Sequence, residues 1–139
     1  MKHKGFTLLE LLVTISIIGI LIAVGATNFR VANQKARDGR RQADLEQIRA
    51  ALELYRSDET GYPISDIIND QEIIGSTGNI YMETVPTDPK SDFTYYYTSD
   101  GVTYTLCASL EVTTTGVCEP AGASCGTDVS CNYQLQNPK

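Results

Sequence analysis

The chain has 139 residues, with 11 Lys and Arg against 17 Asp and Glu, a formal net charge of −6, one His and no Trp. With a single His and no long basic region, it does not read as a dedicated nucleic-acid binder. Beyond a long N-terminal stretch only about 80 residues remain, few to build both a core and a catalytic cleft.

The charge is distributed unevenly along the chain. Met1–Gly5 carries two Lys and no acid, Phe6–Phe29 a single charge at Glu10, Arg30–Arg56 a net +3, and Ser57–Lys139 a net −10. Leu11–Phe29 is 19 residues without a charge, LLVTISIIGILIAVGATNF. As a helix it spans roughly 28 Å, close to a hydrocarbon core of about 30 Å. Leu, Ile and Val fall on every face, whereas a soluble surface helix keeps a polar stripe. The run is longer than a signal-peptide core, and no small-residue cleavage site follows it, Gly25-Ala26-Thr27 being the nearest. It reads as a retained membrane segment.

The helical pattern continues beyond the apolar run. Leu45, Ile48, Leu52 and Tyr55 recur at spacings of three and four, forming one face of an amphipathic helix. One helix is therefore predicted from Phe6 to Asp58, with Gly61 at its cap and Pro63 just beyond. Gly19, Gly25 and Gly39 are weak points along it, each worth about 1 kcal/mol against Ala.

The start reads MKHKG-FTLLE. A charge deep in a membrane helix costs roughly 2.5–3.5 kcal/mol, unless Glu10 lies near the membrane face and snorkels. Gly5-Phe6-Thr7-Leu8-Leu9-Glu10 resembles the prepilin-peptidase site of type IV pilins and type II secretion pseudopilins. Val85-Pro86-Thr87-Asp88-Pro89 is similar to a proline-containing loop of the major pseudopilins. The resemblance implies cleavage after Gly5, methylation of the new amine at Phe6, and a filament-assembly role for Glu10. It implies the pilin fold, an α+β architecture: a long N-terminal α-helix, membrane-spanning then amphipathic, packed on a small antiparallel β-sheet. The expected organisation is a leader at 1–5, a transmembrane and filament-core helix at 6–29, an amphipathic helix at 30–61 and a globular α/β region at 62–139 with a disulfide-tied tail. Implied partners are other copies of the chain, the prepilin peptidase, an assembly platform protein, an ATP-driven motor and the membrane. The implied location is the cytoplasmic membrane in a single pass with the C-terminus outside, then an extracellular filament.

Two departures stand out. Thr27 occupies a position where many relatives have Pro. The calcium loop of major pseudopilins is not expected, since Asp128 stands alone in the tail; no cofactor or metal is expected. Charge at the ends of the span points the other way on topology. Arg30, Lys35, Arg37, Arg40 and Arg41 on the C-side outnumber Lys2 and Lys4 and favour an inside C-terminus. The leader motif and the cysteines place it outside.

In the C-terminal region, Ile64–Ile74 is expected to hold a short helix and the rest to Lys90 to be loop. FTYYYTSDGVTYTLCASLEV reads as a hairpin with Asp100-Gly101 at a two-residue tip. That tip pairs Tyr97 with Tyr104, Tyr95 with Leu106 and Phe93 with Ala108. It places these side chains, with Leu110 and Val112, on the face toward the helix. Thr113–Cys118 or Asn132–Leu135 is needed as a third strand. The tyrosines read as sheet packing rather than a ligand platform. All four cysteines, Cys107, Cys118, Cys125 and Cys131, lie in the last 33 residues. An even number beyond the membrane suggests disulfides in an oxidising compartment, and their spacing lacks the close pairs of a zinc site. The pairing is open, but Cys107 points away from the helix, so its partner is expected in the tail.

The leading expectation is a pilus-like filament subunit. The alternatives are a type II secretion pseudopilin and, from another class, a monomeric membrane-anchored binding domain. Catalysis is not expected: the lone His3 lies in the leader and the acids are scattered around turns.

Overall fold

The computed structural model describes residues 5–68, 72–112 and 116–137; the side chains of residues 26 and 27 lie outside that description. The leader assignment to residues 1–4 and part of one candidate third strand therefore lie outside the described residues. The chain divides into two compact units, Met1–Gln34 and Lys35–Lys139.

Helix α1 runs from Leu8 to Asp58. Its start is a capping box, T-x-x-E, from Thr7 to Glu10. The Thr7 backbone N–H and hydroxyl both donate to Glu10 Oε2 at 2.9 Å, and the Glu10 N–H donates to Thr7 Oγ1 at 3.2 Å. The helix runs without a break through Gly25 and Thr27. It stops at Asp58, the end predicted from the sequence, three residues before Gly61. Gly61 serves a different purpose. A Cβ there would run into the Gly101 carbonyl, which accepts the Tyr62 N–H at 2.9 Å. Its lack of a side chain lets the hairpin tip sit on the chain leaving the helix.

The expected helix at Ile64–Ile74 is absent among the described residues. Ile73–Ile74 is instead strand β1, antiparallel to β2, Ile80–Met82. The turn between them is closed by the Gly75 N–H donating to Asn79 O, with Gly78 at φ 84°. Strands of two and three residues are too short to show a period, so this pair reads as loop in the sequence.

The main sheet has three antiparallel strands in the order β3-β4-β5, namely Tyr96–Ser99, Tyr104–Ala108 and Tyr133–Gln136. The third strand is thus the second of the two predicted alternatives. The hairpin register differs by two residues from the prediction: Tyr97 faces Leu106 and Ser99 faces Tyr104. The loop spans Asp100–Thr103. Asp100 Oδ1 accepts the N–H groups of Val102 and Thr103, and Gly101 sits at φ 87°. A side chain able to satisfy two backbone donors favours this wider loop over a two-residue tip. An even slip keeps Tyr95, Tyr97, Tyr104, Leu106 and Ala108 on the predicted face, whereas Phe93 bridges Gly126 rather than pairing with Ala108, and Val112 is exposed.

The core of the second unit is built from the α1 stripe and that sheet face. Leu45, Ile48, Leu52 and Leu106 are wholly buried, with Tyr62, Tyr95, Tyr97 and Tyr104 around them. Each of these tyrosine hydroxyls donates internally: Tyr95 to Asp44 and Tyr97 to the Pro63 carbonyl at 2.7 Å, Tyr62 and Tyr104 to Glu53. On the other side of the sheet Cys107, Cys118, Ala123, Cys125 and Cys131 form a second cluster. Disulfides join Cys107 to Cys118 and Cys125 to Cys131. Asn132 completes the tie of the tail, its amide oxygen and nitrogen bonding the N–H and carbonyl of Leu110 at 2.6 and 2.9 Å.

Candidate functional site

In the first unit, the residues singled out from sequence lie together at the start of α1. Gly5 is exposed, and Phe6 is 84% exposed. Glu10 lies one turn into the helix. Behind it the large apolar side chains from Leu8 to Phe29 are exposed on every side. This is the one helix among the described residues long and apolar enough to cross a membrane. A soluble unit does not leave so much contiguous apolar surface uncovered.

The capping box gives Glu10 a local task besides any role in offsetting the membrane cost of its charge. The signal, Thr7 followed by Glu10, stands in the sequence. It satisfies donors that an apolar surrounding would otherwise leave unpaired. The bonds it makes within the chain all fall on Oε2. The cysteines are far from this group in sequence and lie in the second unit.

That unit contains a charged cluster that sequence reasoning missed. Arg41 is wholly buried. Its Nε and Nη2 donate to Asp88 at 2.6 and 2.9 Å, and its Nη1 donates to Asp38 at 2.8 Å and Glu111 at 2.9 Å. Arg37 donates through Nε and Nη2 to Glu111 at 2.6 and 2.7 Å. Asp38 accepts the backbone N–H groups of Glu111 and Val112 at 2.8 and 2.9 Å. Lys90 Nζ lies 3.7 Å from Glu111, and the Arg41 guanidinium sits 4.8 Å from the Phe93 ring centre. Arg37, then Arg41, hold the Glu111 carboxyl down at about 2, against the opposing effect of burial. Burial works against the Arg41 charge, but its bonds to Asp88 and Glu111 raise its pKa above the ordinary value. Three cations and three carboxylates balance, which is how a charge is kept inside a protein. The partners stand 47 and 70 residues apart in sequence, so no local pattern discloses the cluster. Among the described residues no group of His, Cys, Asp and Glu could hold a metal ion.

A long α-helix with a capped, apolar and exposed N-terminal half, carried by a small disulfide-bearing α+β unit, defines a pilin-like structural subunit. Comparison with known proteins agrees. The family model described as the prokaryotic N-terminal methylation motif matches residues 1–26. The chain is 28% identical to the type II secretion system core protein G of Vibrio cholerae over 98% of its own length and 95% of that protein. It is 28% identical to the protein of that name from Pseudomonas aeruginosa, over 72% of the chain and 76% of the relative. With the Klebsiella pneumoniae protein it shares 34% identity over 47% of the chain and 46% of the relative. No solved structure matches. The methylation motif and the likeness to core protein G support a prepilin-like pseudopilin.

Proposed function

We propose that the chain is the structural, non-catalytic subunit of a type IV pilus-like filament. Prepilin peptidase cuts after Gly5, the new amine of Phe6 is methylated, and copies polymerise from the cytoplasmic membrane with residues 6–29 in the filament core. The observation that carries this reading is Glu10, the only charge between Lys4 and Arg30, at the head of an apolar helix exposed all round. Lipid covers that surface before assembly and neighbouring helices cover it afterwards. In a bundle of such helices each freshly cut Phe6 brings a positive amine into the same zone. Pairing with a neighbour's Glu10 offsets the burial of both charges and sets the axial stagger. An assembly platform protein and an ATP-driven motor are the further partners this requires.

A second destination has its own support. The relatives named above are type II secretion core proteins, which favours a short secretion pseudopilus over a surface pilus. Both destinations use the same assembly chemistry.

The test is to shear filaments from producing cells, image them by electron microscopy and weigh their main component. The expected component begins at Phe6 and carries one added methyl group. Intact Met1–Lys139 in filaments would sink the reading. Uncleaved protein in the membrane with no filaments would favour a monomeric anchored domain.

A further inference from the structure

The Arg41 cluster does more than neutralise charge. Buried ion pairs add little net stability over apolar residues of the same shape, so equilibrium stability alone is a poor reason to build one. Its placement suggests another. The second unit begins at Lys35, and Arg37, Asp38 and Arg41 belong to the first turns of α1 inside it. They hold two segments remote in sequence, Asp88 and Glu111–Val112. The bonds that cross from the helix to these segments include two forked Arg–carboxylate pairs, Arg37 with Glu111 and Arg41 with Asp88. Bonds loaded together must break together, and each is lost after a displacement of about 1 Å. The apolar contacts of Leu45, Ile48 and Leu52 are not directional and tolerate more sliding.

We propose that this cluster is a mechanical clamp, the place where tension carried along α1 enters the globular unit. Its biological use rests on the filament reading, since a filament subunit is pulled through its N-terminal helix. The clamp raises the barrier to forced unfolding, a quantity set by the unfolding rate rather than by equilibrium stability.

The experiment pulls the full chain, held in a detergent micelle, between handles at its two ends at constant force. Arg41→Met is compared with the wild type and with Ile48→Val, a core substitution. Each rate is read alongside the variant's melting temperature. Arg41→Met also leaves buried carboxylates unpaired and lowers the melting temperature, so the clamp is read from the acceleration beyond that loss. It is expected to unfold at least about tenfold faster than the wild type, with Arg41→Lys between them, and to gain more rate per degree of melting temperature lost than Ile48→Val. Ile48→Val is expected to stay within about twofold of the wild type. If Arg41→Met does not fold, Asp88→Asn keeps the guanidinium and its other partners and should also unfold faster. Wild-type rates in Arg41→Met or Asp88→Asn, or equal acceleration by Ile48→Val per degree of melting temperature lost, would overturn the clamp. Filament yield is scored separately. Loss of the filament reading leaves the force result standing, and normal filaments from a fast-unfolding Arg41→Met leave the filament reading standing.

Discussion

At Glu111 two guanidiniums and a lysine converge on one carboxylate. The carboxyl titrates at about 2 in the folded chain against an ordinary value of 4.5. A depressed carboxylate stabilises the fold above its unfolded pKa, and that contribution is lost as the pH falls toward the folded pKa. The melting temperature should therefore drop between about pH 4.5 and pH 2, and Glu111→Gln should flatten that acid limb while lowering stability at neutral pH. An unchanged acid limb in Glu111→Gln would show that other carboxylates govern it. The same cluster bears on topology. Arg37 and Arg41, two of the five cations that follow the span, are engaged by carboxylates of the globular unit. Of those five, only Arg30, Lys35 and Arg40 stand exposed in the folded protein. Sequence inspection counts cations but cannot see which are paired, because the acids arrive through the fold from far along the chain.

At the scale of elements, the long-period signals in the sequence were the dependable ones. The α1 stripe of Leu45, Ile48 and Leu52 and the alternation through Tyr95, Tyr97, Tyr104 and Leu106 both lead to the observed core. What the sequence concealed was short or tertiary: the β1–β2 pair, the wider loop held by Asp100, and the reason for Gly61. Glycine substitutions separate these cases. Gly39 is an exposed helix position with open space where a Cβ would stand, so Gly39→Ala should raise stability by about 0.5–1 kcal/mol. Gly61→Ala must push the Gly101 carbonyl away and break its bond to Tyr62, and should cost about 1–3 kcal/mol. Thermal melts of the two variants check the contrast, and a neutral Gly61→Ala would show that the tip adapts freely. The cysteines belong to this scale too. Native mass should be four hydrogen atoms below that of the reduced chain, two per disulfide. Cys107→Ser should cost about 2–4 kcal/mol and expose the segment around Cys118 to protease. Four freely alkylating thiols in exported protein would contradict both expectations.

Across the whole molecule, an apolar helix that needs a cover is joined to a charged head that needs a partner. The motif that singles out Gly5, Phe6 and Glu10 as candidates is local and short, and it lies within the matched methylation-motif region. The capping role of Glu10 is equally local, a Thr followed three residues later by Glu. The capping role and the pairing role are separable by substitution. Glutamine at the third helical position can still reach back to the cap, whereas leucine cannot. Glu10→Gln thus keeps the helix start and removes only the charge. The most direct measurement compares sheared filament protein with the membrane pool for wild type, Glu10→Gln and Glu10→Leu, with cleavage at Gly5 verified in each. Charge pairing predicts cleaved, folded subunits in the membrane and no filaments from either variant. Filaments from Glu10→Gln at wild-type yield would show that the carboxylate serves only to cap its own helix, and would contradict charge pairing as the basis of assembly.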